Sequence, residues 1–366
     1  MLSFVLPRSR SNSDWFRVPS PRPVARENAP SARDLVHAND RLCQQFIRLC
    51  GDQVRRRGEI LLDIDSTDDP THGQQHLSFF NGGYGQHMYH PMLIFERHTG
   101  CLLAARLRPG NASSHARIVP MLLRLVPRLQ SAFPGVQIKL RGDAGFALPL
   151  LYKFCEFFAI QYALAIPTNC VFQQRAETLQ KQLERRYRRT QLPQRSFSSF
   201  RHRARSWPRQ RRICYKAEHT ATGTNLRFLV TNSAGRASEV FAFYNHRGEC
   251  ENRIEEFKNG FCADRLSCHR FLANAFRLFL HGAAYHLVKS AEGVKRVNKQ
   301  GLDRFVPQNG SFSRWIAGHG DMFLAGKIPP QYEKEVGQML NQMHEFSYEP
   351  DSTWATIVLP GMRSIS

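Results

Sequence analysis

Ile60-Leu61-Leu62-Asp63-Ile64-Asp65 alternates, with Ile60, Leu62 and Ile64 on one face of a strand and Leu61, Asp63 and Asp65 on the other. Ser66-Thr67 follows. A second alternating run, Val136, Ile138 and Leu140, stops at Arg141-Gly142-Asp143. A polar, Gly-rich stretch over 68–86 separates the first strand from two apolar runs, 87–96 and 101–108. These runs join at Arg97-His98-Thr99-Gly100 and predict a β-hairpin. Ser113 or Ser114 can N-cap a helix to about Phe133 that carries Ile118, Met121, Leu122, Leu125 and Leu129. A helix over about 147–159 and a short strand at 161–166, closed by Pro167, complete the order β-β-β-α-β-α-β.

Working outward, residues 31–56 predict a helix through Leu35, Leu42, Phe46 and Leu49, and 1–30 read as a flexible leader rich in Ser, Pro and Arg. Residues 168–240 break the alternating order. Fourteen Lys or Arg and two acids, Glu177 and Glu184, lie between 175 and 216, so that segment carries +12 of the net +21. Strand-like pieces follow at Ile213-Cys214-Tyr215 and 226–230. A helix begins near Tyr244, and the region from 289 onward is mixed and partly helical.

A charge of +21 costs self-repulsion unless a polyanion relieves it, which favours nucleic acid over an anionic membrane surface. Nine cysteines, an odd number without C-x-x-C spacing, indicate reduced cytosolic thiols rather than a disulfide framework or a zinc knuckle. The apolar stretch 271–288 is interrupted by Arg277, His281 and His286, so it is no membrane span. His72, His76, His87 and His90 sit in a Gly- and Gln-rich setting that favours loop hydrogen bonds or DNA contact over zinc.

Tyr244, Arg247, Glu251 and Lys258 fall within roughly 60° of one another on a helix, one polar stripe beside the apolar stripe Ile254, Phe257 and Phe261. On spacing alone an exposed face with an Arg247/Glu251 pair is the plainer account. The two strand acids change the balance. Two strand carboxylates and one helix carboxylate can hold two divalent cations with open positions for water and phosphate. Magnesium suits all-oxygen ligands and keeps several waters.

These residues give the chain its resemblance to the DDE transposases of bacterial insertion sequences, in the branch with a Tyr-x2-Arg-x3-Glu-x6-Lys signature. Tyr244, Arg247, Glu251 and Lys258 match that signature; 62–67 and 141–146 resemble the first and second acidic motifs. The resemblance covers about 57–287. It implies an α/β, ribonuclease H-like fold: a mixed five-stranded sheet with flanking helices, and a basic, β-strand-containing insertion between the second Asp and the Glu helix. It divides the chain into a leader (1–30), a helical remnant of an N-terminal region (31–56), core segments (57–167 and 241–288), the insertion (168–240) and a C-terminal region without an assigned role (289–366). Asp65, Asp143 and Glu251 become catalytic metal ligands for two Mg²⁺, with Mn²⁺ able to substitute. Asp63 is a rival to Asp65, which the following Ser-Thr favours. Tyr244, Arg247 and Lys258 become phosphate contacts.

Arg185, Arg186, Arg188 and Arg189 of the insertion are expected on DNA. Trp207 is a candidate for stacking on a displaced base, although packing against its own strands is favoured. The family further implies cleavage at terminal inverted repeats, transfer into target DNA, a homodimer in the DNA complex, and a cytoplasmic, nucleoid-associated bacterial enzyme. Only about 25–35 resembles the family's N-terminal region, and the pattern is left again after about 288. That departure keeps a second reading open, a DNA-binding remnant without transposition activity. A third, a stand-alone structure-specific nuclease, is opposed by the signature spacing.

Overall fold

The computed structural model describes residues 31–295. The leader and most of the C-terminal region therefore lie outside the described residues. Strand β1 (Glu59–Ser66) lies inside an eight-stranded mixed sheet, as its alternation requires. It pairs antiparallel with β5 (Met92–Glu96), which pairs with β6 (Leu102–Arg106). On its other side it runs parallel to β7 (Gln137–Gly142), followed by parallel β8 (Gln161–Ile166). The order β6-β5-β1-β7-β8 is the expected five-stranded ribonuclease H-like core. Residues 87–89, expected in the hairpin, belong instead to a small three-stranded sheet of β2 (Asp69–Pro70), β3 (Phe79–Asn81) and β4 (Gln86–Tyr89). The break falls at His90-Pro91: the ring of His90 bonds the Ala112 carbonyl at 2.8 Å, and proline has no N–H for a ladder.

The insertion extends that same sheet. Strands β9 (Gln194–His202), β10 (Arg211–Thr220) and β11 (Gly223–Thr231) continue it as β8-β11-β10-β9. They are preceded by a helix absent from the sequence expectation, α4 (Cys170–Thr190), capped by the Asn169 side chain. Its buried residues Phe172, Ala176 and Leu183 fall at helical spacing, a stripe diluted by Arg and Gln.

The two faces follow the period-2 pattern. Ile60, Leu62 and Ile64 pack with α1 (Ala32–Arg57), α2 (Ile118–Ala132) and α3 (Pro149–Phe157). On the opposite face, Leu93 and Phe95 pack with α6 (Gly248–Phe261) and α7 (Phe271–Lys295), while Ala163, Cys214 and Leu229 pack with α5 (Ala237–Asn245). Helix α1, expected as a helical remnant of an N-terminal region, packs into this core: Cys43, Phe46, Cys50 and Val54 are all buried in it. A Ser31/Asp34 capping box starts it.

Two helix boundaries differ from expectation. Helix α2 begins at Ile118 rather than after Ser113 or Ser114, because the buried Arg108 guanidinium takes the Ser113 and Ser114 carbonyls at 2.8 and 2.6 Å. Those residues form a turn, and Arg117 enters the helix at φ 70°. The single helix expected from Tyr244 is two, α5 and α6, separated at His246-Arg247. Three-residue hydrogen bonds, Arg247 N to Tyr244 O and Cys250 N to Arg247 O, tighten the junction, and Gly248 starts the second helix.

His281 and His286 of α7 are fully buried, and burial pushes their imidazoles down to about 3 and about 4. Below the ordinary histidine value of about 6.5, unfolded chains take up protons that the folded protein refuses. Stability is therefore complete above that value and falls as pH drops toward the folded values. Each histidine contributes a slope of about 1.4 kcal/mol per pH unit in that window. Urea midpoints of the wild type should fall between pH 7 and pH 5 more steeply than those of a His281→Leu/His286→Leu double variant. Parallel curves would disprove this origin of acid sensitivity.

Candidate active site

Strands β1 and β7 run parallel, so their C-terminal ends meet at one edge of the sheet. Asp65 is the penultimate residue of β1, and Asp143 follows the last residue of β7. Gly142 between them has a steric reason: a Cβ there would lie 2.7 Å from Ile64 Cγ1 and 3.0 Å from Leu164 Cδ2. Asp143 then turns the chain, its Oδ1 accepting from Gly145 N at 2.9 Å.

Asp63 and Asp65 share a face but not an environment. Both Asp63 oxygens are held by Arg141, with Nε and Nη2 each at 2.7 Å, and both side chains are almost wholly buried. The two residues face each other directly across the β1–β7 ladder. Arg141 spends its remaining prong on the Phe243 carbonyl of α5 at 2.7 Å. Asp65 Oδ2 instead accepts from Arg247 Nη2 at 2.7 Å, and Arg247 Nη1 reaches Glu251 Oε1 at 3.2 Å.

Asp65, Glu251 and Lys258 line one cleft of about 340 Å³, with Ser66, Thr67 and Asn259. Burial pushes the Asp65 carboxyl up to about 6; Arg247 opposes the rise and the Asp143 charge adds to it. Asp143 is thus close enough to act on Asp65, although it is outside the residues that line the cleft. Burial works against the charge of Arg247, yet Asp65, Tyr244 and Asp143 hold it above its usual range. The half-buried Tyr244 phenol is raised by burial, so it stays an O–H donor. Lys258 is drawn to the loop after β1, donating to Asp68 Oδ1 at 2.8 Å and to the Asp68 carbonyl at 3.0 Å.

Among the described residues, no three His, Cys, Asp or Glu side chains are grouped so as to hold a metal ion. The cation between Asp65 and Glu251 is the Arg247 guanidinium. Two carboxylates that both reach one cation, in an all-oxygen donor set, fit a hard divalent ion.

Other sequence-derived candidates separate. Arg185, Arg186, Arg188 and Arg189 are exposed on α4, Arg188 paired with Glu184 at 2.5 Å. Trp207, at 5% exposure, packs edge-on against Tyr152, with centroids 5.5 Å apart. His202 also stands edge-on to it, with centroids 5.7 Å apart. Of the four histidines, His90 is buried, while His87 is exposed and packs edge-on against Phe80.

The sequence reading missed four supporting residues. Arg141 locks Asp63, and Asp68 receives Lys258. Arg108 reaches Ser66 Oγ at 2.9 Å and so steadies the end of β1. Glu249 bonds Arg97 of the β5–β6 turn, tying α6 to the sheet. One signal was available. Asp63 precedes Asp65 by two residues as Arg141 precedes Asp143, so aligning the two motif acids puts opposite charges side by side.

A family model described as "Transposase DDE domain group 1" matches residues 21–298. The chain belongs to this family of DDE transposases. No curated protein matches it. Among solved structures it is similar to a piggyBac transposase, in a cryo-EM structure of the synaptic complex with hairpin DNA. The identity is 12% and the TM-score 0.44, and the match covers 85% of this chain and 64% of that one. The transposase chain described here thus spans just under two thirds of the length of that relative. Among its described residues, no helix is long and apolar enough to cross a membrane.

The Asp63–Arg141 pair yields a direct expectation. Asp63→Asn leaves a buried guanidinium without its counterion, which destabilises by about 3–5 kcal/mol. Thermal unfolding should show a large drop in Tm. A melting curve like that of the wild type would mean the pair is dispensable.

Proposed function

We propose that this transposase cuts DNA at the ends of a mobile element and joins them to target DNA, using Asp65, Asp143 and Glu251. The observation that carries the reading is the Arg247 guanidinium shared by Asp65 of β1 and Glu251 of α6, residues far apart in sequence that converge on one cation. Asp65 is preferred to Asp63 because Arg141 already engages both Asp63 oxygens. The three carboxylates would hold divalent ions, Mg²⁺ or Mn²⁺. Such ions polarise the phosphate, activate a bound water and stabilise the leaving oxygen.

The chain's own groups do the rest. Above pH of about 6 the Asp65 carboxylate is charged and able to ligate. Displaced from the acids, Arg247 becomes a two-pronged donor for a DNA phosphate beside them. Lys258, on the same helix, adds a second positive charge at the cleft and fixes the loop after Asp65. Tyr244 supplies a hydroxyl donor. The exposed α4 arginines neutralise backbone phosphate farther along the duplex. Terminal inverted repeats and target DNA are the partners, within a homodimer on the DNA.

Replacing Asp65, Asp143 or Glu251 singly by Ala should abolish metal-dependent nicking while DNA binding, read by fluorescence anisotropy, persists. Nicking that survives in all three would sink the assignment. A wild-type protein that binds duplex but nicks nothing with Mg²⁺ or Mn²⁺ would move the conclusion to a DNA-binding remnant.

Arg247→Lys separates a phosphate contact from a simple ion pair with the exposed Glu251. A simple pair contributes under about 1 kcal/mol and tolerates Lys. A planar two-pronged donor does not. The variant should keep its Tm and lose about ten-fold or more in cleavage rate, equivalent to about 1.4 kcal/mol of transition-state stabilisation. A rate equal to wild type in a well-folded variant would remove Arg247 from the phosphate site.

A further inference from the structure

A second cavity, of about 680 Å³, lies at the other end of the sheet. It borders Tyr162 at the start of β8 and Thr231 at the end of β11. The acids stand at the opposite ends of β1 and β7, which run parallel to β8. Its lining holds four guanidinium groups, of Arg201, Arg209, Arg211 and Arg212, against one carboxylate, Glu156.

The arginines have unequal commitments. Arg211 is almost wholly buried, clamped over the rings of Tyr152 at 5.0 Å and Trp207 at 5.5 Å. Its Nε and Nη2 engage Glu156 at 2.8 and 2.9 Å, whereas Nη1 has no hydrogen-bond partner among the described residues. Arg209 shares the same carboxylate at 2.7 Å, so Glu156 serves two cations. Arg212 holds the Ser233 and Gly235 carbonyls, which are uncharged. Arg201 is exposed and has no ion pair among the described residues.

A buried guanidinium with a spare donor is costly unless an acceptor arrives. Here the surplus charge is positive, the donors are planar guanidinium groups, and one of them, Arg211, is fixed in advance by ring stacking with its Nη1 left over. Phosphate oxygens meet all three conditions. The cavity is far larger than one phosphate group and admits a nucleotide-length piece of backbone.

We propose that this arginine cavity is a DNA-backbone site, separate from the acidic cleft, that carries the duplex around the far end of the sheet. The proposal rests on the reading of the chain as a DNA-cutting enzyme and adds a contact which that reading does not require. The packing of Trp207 has a use in it: the indole is one of the two rings that hold Arg211 in place.

The test is equilibrium binding of the full chain to a labelled 40-bp duplex in metal-free buffer, across a salt series. Arg201→Gln/Arg209→Gln removes two exposed charges and leaves the buried Arg211 intact. Arg33→Gln/Arg56→Gln on α1 removes the same net charge elsewhere. The cavity variant should lose about ten-fold in affinity, and its slope of log affinity against log salt should flatten by about two. The α1 variant should change neither. Equal effects from the two variants would show a net-charge effect and overturn the site, as would an unmoved cavity variant. Adenosine triphosphate is titrated in parallel. A cavity variant that loses only adenosine triphosphate binding, with a wild-type duplex slope, also overturns the assignment to DNA backbone. A wild type without duplex affinity sinks both readings, whereas normal wild-type binding with an unmoved variant sinks the cavity alone.

Discussion

A parallel pair of strands has no tight turn to set its register, and β1 and β7 are joined only through five further strands and a helix. A slip of one residue would exchange the apolar face for the acidic one. The Asp63–Arg141 pair prevents this. It sits directly across the ladder, in a core where either charge left alone would be prohibitive, and its bidentate geometry tolerates one alignment. Arg141 also grips the Phe243 carbonyl, so the same side chain ties α5 to the sheet. The positions of Asp65, Asp143 and Arg247 all descend from that one guanidinium.

What could be read in advance was what local periodicity encodes. Ile60, Leu62 and Ile64 marked β1 and its buried face, Ile138 and Leu140 marked β7, and 31–56 came out as one helix. Helix α4 escaped because only Phe172, Ala176 and Leu183 are buried along 21 residues dominated by Arg, Gln and Glu. That β9, β10 and β11 extend the central sheet was not legible, since pairing such as Leu229 with Ala165 leaves no trace in either strand alone. The break at His246-Arg247 was hidden because helical spacing persists across a single tightened turn. Within the site, Asp65 and Glu251 were identified as chemistry but not as partners of one guanidinium, a fact of side-chain placement rather than sequence order.

Charge is distributed over the sheet with a clear polarity. Carboxylates cluster where β1 and β7 end, and arginines gather where β8 begins. Between them lies a close-packed interior whose buried charges, Asp63 and Arg141, are paired with each other. A polyanion approaching the molecule meets attraction from the insertion first. At the acids it meets carboxylates already accompanied by Arg247 and Lys258. The acidic and the basic groups are therefore placed on separate elements of the fold.

The distance along the chain between Asp65 and Arg247 has a consequence for biosynthesis. The two residues are 182 positions apart, so the ribosome has released β1 long before α6 exists. Chains emerge at about 5–20 residues per second, which leaves an interval of many seconds. During it the antiparallel half of the sheet, β6-β5-β1, can form from contacts local in sequence. The cleft cannot form, because Glu251, Arg247 and Lys258 have not been made. An unfinished chain is already basic yet lacks Glu251. The order of translation thus leaves the Asp65–Arg247–Glu251 contact unmade until most of the scaffold around it has been synthesised.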